Sequence, residues 1–549
     1  MKVFEELQAP VMQNKHGENV ISADFGKEAF ARLEIELDAY NNAGQLTLAI
    51  GEVQTPDGRV EPKPGAWLIY REMKFTPRPG KNRFFMDLPQ HVSPYQKTYQ
   101  RSKVIAPEIG FGGEIAPFRY AEIAGTGMKS VKFIRHAMFG PFDDNAADFT
   151  CSDEGLNKVW DFCKYSIKAT SPFGVYIDGD RERQAFEGDA YINALGAYCT
   201  GGGYELARRT ITFLLDYYPQ CCAEYRFFGP VLVRDYLLYS GDDIMYRRYW
   251  REDLPDRLLN IYLQSDGLIH NCYGDMLSGY HHEHQFEYLP LWPLQMQELV
   301  DWPFEERGGY EYGELNFSVN AFRYWALCMM AELEPQNFAY ASEAATLRQK
   351  IHTTFRKHPG FFADNAKSSH MAFHTAMIAL NFGIAEPEDV SGLFATLKPQ
   401  GMACSVYGAQ YFLDACFQHG ETQHAINLMR ADGDRSWLNM MKQGATVTME
   451  AWSNAVKPNQ DWNHAWGTAP ANVIPRRLCG IRPLASGFSK FVIDPQPGDI
   501  KEFSLKHPTP HGAILLHYDM GHLEVTVPEG TMGVCRGHLY PVGKHTIKL

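Results

Sequence analysis

The run SDEGLNKVWDFCKYSI, residues 152–167, decides the architecture, because the hydrophobic period of the chain changes here. Leu156, Val159, Trp160, Cys163 and Ile167 fall at i, i+3, i+4, i+7 and i+11, which puts them on one face of a helix. Ser152 is the expected N-cap, with Asp153 and Glu154 placed to favour the positive end of the helix dipole. An amphipathic helix follows.

Upstream the period is two. In Arg32-Leu33-Glu34-Ile35-Glu36-Leu37-Asp38 apolar and charged residues alternate, as a strand with one buried and one wet face requires. Similar short runs occupy residues 45–53, 66–70, 118–123 and 131–136, between turns such as Pro56-Asp57-Gly58 and Pro79-Gly80. Residues 1–145 read as an N-terminal β-sandwich.

Downstream, helical stretches recur at residues 190–198, 204–217, 230–239, 315–333, 343–355, 372–380, 409–417 and 423–430. Roughly a dozen helices without a long hydrophobic span imply antiparallel pairs closed into an (α/α) toroid over residues 146–482. After Pro483, residues 491–493, 513–518, 522–527 and 545–549 look like short strands, giving a small C-terminal β domain at 483–549. The expected class is mainly α with flanking β domains.

A chain of 549 residues with 45% hydrophobic and 21% charged residues is long enough for two or three folded domains. Its net charge of −13 offers no basic stripe to nucleic acid or to anionic membranes. The first residues carry acids where a signal peptide needs an apolar core, and no apolar run approaches the roughly 20 residues that span a bilayer. A cytoplasmic protein is expected. Eleven cysteines without C-x-x-C pairs argue against a disulfide framework and a zinc ribbon.

The densest polar run is Tyr176-Ile177-Asp178-Gly179-Asp180-Arg181-Glu182-Arg183-Gln184-Ala185-Phe186-Glu187-Gly188-Asp189. It reads as a loop between the apolar run 173–177 and a helix beginning near Asp189. Carboxylates crowded with arginines can be driven to different pKa values, one protonated and another charged. A solvated charged turn is the plain alternative, against which stand the flanking apolar segments and Phe186.

A second run is Thr446-Val447-Thr448-Met449-Glu450-Ala451-Trp452, followed by Asp461-Trp462-Asn463-His464-Ala465-Trp466-Gly467. An acid among apolar and aromatic neighbours is costly to bury unless paired or functional, and a structural hydrogen bond would also satisfy it. Trp462 and Trp466, four apart, would share a helical face. His281, His282 and His284 lack the H-E-x-x-H spacing of a zinc helix, so no metal site is assigned. The chain has no G-x-G-x-x-G before a helix, no P-loop and no G-x-S-x-G elbow, and no cofactor is expected.

The acidic run resembles the signature of the α-L-rhamnosidases of glycoside hydrolase family 78, approximately D-C-P-x-R-E-R-x-G-W-x-G-D. In order along the chain, Leu299-Val300-Asp301-Trp302-Pro303, Gly309-Tyr310-Glu311-Tyr312-Gly313, Met449-Glu450-Ala451-Trp452 and Asn463-His464-Ala465-Trp466-Gly467 are similar to that family's helical domain. The resemblance spans about residues 150 to 500 and implies an (α/α)6 barrel flanked by β-sandwich domains.

It also implies release of terminal α-L-rhamnose from a small-molecule or oligosaccharide rhamnoside, and a homodimer by family habit. Carried over, Glu182 is the general acid and Glu450 the general base of an inverting reaction, with carboxyls about 6.5–9.5 Å apart. Asp189 would hold the sugar and tune Glu182, while Arg181 and Arg183 would orient the acid or hold the loop. Trp302, Trp452, His464 and Trp466 would line the pocket, with Asp301. The chain departs from the signature where Ile177 takes the place of its first aspartate, so Asp178 and Asp180 compete for one sugar contact. Phe186 stands where the signature has Trp, still an apolar wall for the C6 methyl of rhamnose.

Three rivals remain at this stage. One is another toroid glycosidase or a uronate lyase, disfavoured because the clusters are acidic. The second is a catalytically silent sugar-binding protein, disfavoured because Glu182 and Glu450 are both present. The third is a metal-dependent hydrolase built on the histidines.

Overall fold

Strand β3, Val20–Ala39, organises the N-terminal unit. Its first half pairs with β2 (Met12–Lys15) and β7 (Ala116–Ala124), its second half with β6 (Gly80–Phe85) and β8 (Met128–Phe139). The register with β7 shifts between Asp24 and Ala29, where Gly26 takes φ +81°. A bulge here turns the strand from one set of partners to the other. With β1 (Phe4–Gln8), β4 (Leu46–Gly51) and β5 (Tyr70–Phe75), all eight strands are hydrogen-bonded through β3. The expected sandwich is thus joined as one sheet. Its core is the alternating set predicted by period, including Leu33, Ile35, Leu37, Leu48, Phe118 and Phe133.

This is a computed structural model, describing residues 3–92, 113–201, 203–217, 222–251, 254–258, 260, 263–270 and 298–549. The expected strand at 66–70 is absent apart from Tyr70. Its main chain bonds elsewhere, Trp67 N to Gln460 O at 2.9 Å and Ile69 N to the Glu52 carboxylate.

The period change marks helix α1, Glu154–Ala169. Its N-cap is Asp153 rather than Ser152: the Asp153 carboxylate accepts from Leu156 N at 2.9 Å, and Ser152 Oγ accepts from Lys501 N at 3.1 Å. Lys158 and Asp161 stay exposed on the outer face of α1. Helix α2, Glu187–Thr200, is buried along its whole length. The two approach closely at Gly196, where a Cβ would come within 2.4 Å of Ile167 Cδ1.

A helix buried on every side needs neighbours on every side. α2 packs on Phe228–Ser240, which packs on Phe317–Leu333, and the series runs through Phe373–Asn381, Gly408–Gln418 and Ala469–Val473 back to α2. Against this closed series lie α1, Tyr204–Tyr217, Phe338–Phe355 and Pro387–Leu397. The last was not read from the sequence, nor was the short hairpin of β10 (Arg356–His358) and β11 (Phe361–Phe362).

The C-terminal unit holds two sheets. One joins β12 (Ile481–Pro483), β13 (Lys490–Ile493), β17 (Met532–Cys535) and β18 (His538–Tyr540). The other joins β14 (Glu502–His507), β15 (Ile514–Asp519), β16 (His522–Val527) and β19 (Gly543–Lys548) with β9, Asp148–Cys151. β9 precedes the helices in the chain yet pairs with β14, Phe149 opposite Leu505. A unit drawn as residues 146–482 therefore groups β9 with the helices it leads into and cuts it off from the C-terminal sheet it belongs to.

No helix among the described residues is long and apolar enough to cross a membrane.

Candidate active site

The acidic run forms a tight loop entering α2. Asp178 N donates to Gln184 O, and Gln184 N donates back to Asp178 Oδ1, both at 2.8 Å. Arg183 sits at φ +50° and is 1% exposed. Its guanidinium binds Asp180 Oδ1 at 2.9 and 2.7 Å, Glu114 Oε1 at 2.8 Å and Ile115 O at 2.9 Å. Arg183 thus ties the loop to the N-terminal sheet, and Asp180 is committed to Arg183.

The second run folds against this loop. Asn463 Oδ1 accepts from Asp180 N at 2.7 Å and Asp461 Oδ2 accepts from Arg181 N at 3.0 Å. Asn463 Nδ2 donates in turn to Glu52 Oε1 at 3.3 Å, and Glu28 N donates to Thr446 Oγ1 at 2.8 Å. Two buried acids of the N-terminal unit thus reach the site's edge. Burial pushes Glu28 up to about 8, against a hydrogen bond from Asn463, and burial with the charge of Glu28 raises Glu52.

Arg181 is the centre. Nη1 and Nη2 donate to Glu450 Oε2 and Oε1, each at 2.8 Å, and Nη2 also donates to Glu182 Oε1 at 3.0 Å. Lys457 Nζ stands 3.2 Å from Glu450 Oε1. Burial opposes the charge of Glu450, but Arg181 and Lys457 overcome it and hold the carboxyl at about 2. Glu182 keeps a partly exposed side chain, whereas Glu450 is 2% exposed.

The other acids here are held differently. Burial, then the charges of Glu182, Asp189 and Asp461, raise Asp178 well above the carboxylate range. Burial lifts Asp461 to about 7, with Arg181 opposing and Glu450 adding to the rise. Asp189 Oδ1 and His464 Nε2 lie 2.8 Å apart. Burial would lower the imidazole pKa, but the Asp189 carboxylate outweighs it and keeps the ring cationic more readily.

Glu450, Asp461 and His464 offer ligand atoms within 4.8 Å of one another, the geometry of a metal trio. The donors on Glu450 argue otherwise: both its oxygens already face cations, and Arg181 and Lys457 would repel a metal ion. His281, His282 and His284 lie outside the described residues.

The family model described as the bacterial alpha-L-rhamnosidase six-hairpin glycosidase domain matches residues 144–478. The chain belongs to the bacterial α-L-rhamnosidase family. Residues 480–535 match that family's C-terminal domain. Among solved structures, an α-L-rhamnosidase from Dictyoglumus thermophilum superposes with TM-score 0.72 at 15% identity, covering 96% of this chain and 58% of that one. One from Aspergillus terreus gives 0.73 at 15% identity, over 99% and 63%. A Klebsiella oxytoca rhamnosidase solved with rhamnose bound gives 0.62 at 15% identity, over 86% and 96%. At these identities the likeness speaks to the fold. The chain spans about three fifths of the first two proteins' length. No curated protein matches it.

Within this α-L-rhamnosidase family member the remaining residues divide by exposure. Phe186 and Trp302 are half-buried, and Lys457 Nζ lies 5.9 Å from the Trp302 ring. Trp452 and Asp301 are 0% exposed. Trp452 Nε1 donates to Cys404 O at 2.7 Å, while Asp301 takes His374 Nε2 at 2.6 Å and the Ser405 hydroxyl. Both side chains are spent on these buried bonds. Trp466 Nε1 donates to Glu450 O at 3.0 Å and its ring lies 4.6 Å from His464. Trp462 and Trp466 do not share a helical face: Trp462 is in irregular chain, bonded to Asn454 Oδ1 at 3.0 Å, and Trp466 is in a short 3-10 turn.

Asp461, quoted in the second run, was given no role by sequence reading, though the argument applied to Glu450, an acid among aromatics, applies to it equally. Lys457, Glu28, Glu52 and Glu114 gave no signal; a lone lysine in a loop and acids along β structure look like solvated surface.

Proposed function

We propose that this chain is an inverting glycoside hydrolase that releases terminal α-L-rhamnose, with Glu182 as general acid and Glu450 as general base. The observation that carries the reading is the meeting of these two carboxylates, from loops far apart in the chain, on the one guanidinium of Arg181. Two carboxyls flanking a bond are what glycoside hydrolysis requires. Glu182 is at the accessible rim, where a leaving oxygen can be protonated. Glu450 is deep and ionised, where a water on the opposite face of the sugar is activated. The closed helical series supports reading the central unit as an (α/α)6 barrel with the site at one end.

The reading puts the sugar against Phe186 and Trp302, whose rings are half-buried. Asp180 Oδ1 is taken by Arg183, which favours Asp178 for the disputed sugar contact. Asp189 and His464 act as a pair, and Trp466 positions Glu450 through its main chain.

Hydrolysis of an aryl α-L-rhamnoside by wild type, Glu182→Gln and Glu450→Gln tests this. Turnover should fall at least about 100-fold in each variant. Unchanged turnover in either removes its assigned role, and retention in the first-formed rhamnose anomer, read by NMR, refutes the attack by water.

A further inference from the structure

Arg307 is 3% exposed, and its Nη1 and Nη2 have no hydrogen-bond partner among the described residues. Its Nε donates to Asp301 O at 2.9 Å. The guanidinium carbon lies 3.8 Å from the centre of the Phe304 ring and 5.7 Å from that of Tyr312. Rings satisfy the face of such a cation but not its N–H edge. A buried guanidinium with two empty nitrogens is costly, and a carboxylate relieves it best by meeting both in one plane.

Arg307 lines a cavity of about 640 Å³, the size of a small-molecule site. Phe304, Tyr310 and Tyr312 give it aromatic walls, and Lys367 and Ser368 also line it. Lys367 is exposed and adds a second positive charge, its Nζ 3.6 Å from Glu314 Oε2. The acid in the wall, Glu311, is exposed and takes the Ser368 hydroxyl.

The cavity adjoins the proposed catalytic cluster through Trp302. The Trp302 and Phe304 ring centres are 6.0 Å apart, Lys457 Nζ lies 5.9 Å from the Trp302 ring, and the same Nζ is 3.2 Å from Glu450 Oε1. Its walls come from the stretches that enter Phe317–Leu333 and Phe373–Asn381, two helices of the closed series to which α2 belongs. A rhamnose held against Trp302 has this cavity next to it.

We propose that the cavity receives the leaving group, and that Arg307 selects rhamnosides whose aglycone carries a carboxylate, the ring being that of a uronic acid. This deepens the hydrolase reading above and rests on it; Glu182 and Glu450 keep their roles, and Arg307 binds the part of the substrate that departs. The polar groups of the lining, Glu311, Lys367 and Ser368, suit the hydroxyls of a sugar acid.

The test compares kcat/KM of the full chain on α-L-rhamnosyl-(1→4)-glucuronic acid and on its carboxamide, which has the same shape without the charge. A second pair, 4-carboxyphenyl α-L-rhamnoside and its carboxamide, replaces the sugar acid by an aromatic one. Wild type should favour the glucuronic acid over its amide by about 10- to 100-fold, a ratio that needs no variant to fold. Arg307→Gln should bring that ratio close to one, whereas a residue with a structural role only would slow both members of the pair and leave the ratio. Preference confined to the carboxyphenyl pair keeps the carboxylate site and overturns the sugar acid. No preference for the acid in either pair, or a preference that survives in Arg307→Gln, overturns the proposal and leaves the hydrolase reading standing. A wild type that cleaves no α-L-rhamnoside overturns both.

Discussion

Arg181 and Glu450 form a two-pronged pair, Nη1 and Nη2 each meeting one carboxylate oxygen at 2.8 Å, and both residues are buried. The same guanidinium reaches Glu182, so the geometry of both proposed catalytic carboxylates passes through one side chain. Lysine carries the charge of arginine but not its planar fork. Arg181→Lys should therefore fold yet lose about 10- to 100-fold in kcat, because Glu450 and Glu182 are no longer fixed relative to each other. Arg181→Ala leaves a buried carboxylate short of its partner and should cost about 3–5 kcal/mol in urea denaturation. Wild-type kcat in Arg181→Lys would show that the pair is structural only.

Gly179 tests how closely the two loops must approach. Its φ is +126°, and a Cβ there would lie 2.3 Å from Asp461 Oδ2 and 3.3 Å from Asn463 Oδ1. Gly179→Ala has both a strained backbone and an overlap to relieve, so about 1–3 kcal/mol of stability should be lost. Asp461 must move to make room, and kcat should fall with it. A variant with unchanged denaturation midpoint and unchanged kcat would show that the loops have slack.

What was legible in the sequence is what a short-range period encodes. Helix α1 appears from five apolar positions, β16 from strict alternation, and the Glu182 loop from its density of charge. The cap of α1 was misplaced by one residue because Ser152 and Asp153 are both good caps, and the choice depends on Lys501, far away in the chain. β9 was invisible for a related reason: four residues become a strand only because β14 arrives beside them. In the site, the acidic run and Glu450 were found, but not the contacts that set their chemistry. Lys457, Asp461 and the N-terminal acids act through distance in space, which no local pattern records.

Arg183 is the site's tie to the N-terminal sheet. It is buried against Phe173, its guanidinium carbon 5.1 Å from the ring centre, and it bonds Asp180, Glu114 and Ile115 O. Arg183→Met keeps much of the volume but strands the Asp180 and Glu114 carboxylates without their cation. The variant should lose about 3–5 kcal/mol. It should also lose activity through the loop, with KM and kcat affected together. If thermal unfolding and kinetics both match wild type, the N-terminal unit is not needed to hold the catalytic loop.

Glu28 gives a prediction in stability alone. Burial raises its carboxyl from the ordinary 4.5 to about 8, against the hydrogen bond from Asn463. Between those values the folded chain keeps a proton at Glu28 that the unfolded chain has released. Stability must then fall as pH rises through this window and level off above it. Glu28→Gln imitates the protonated acid at every pH, keeping the amide-compatible shape without the titration. Relative to wild type it should lose less stability between about pH 5 and pH 8, by on the order of 2 kcal/mol. Glu52, Glu187 and Glu298, also raised by burial, leave a residual slope in the variant. Urea denaturation at several pH values measures the difference. Parallel curves for the two proteins would mean that Glu28 is already ionised in the folded state, with its charge met by Asn463 and Arg135.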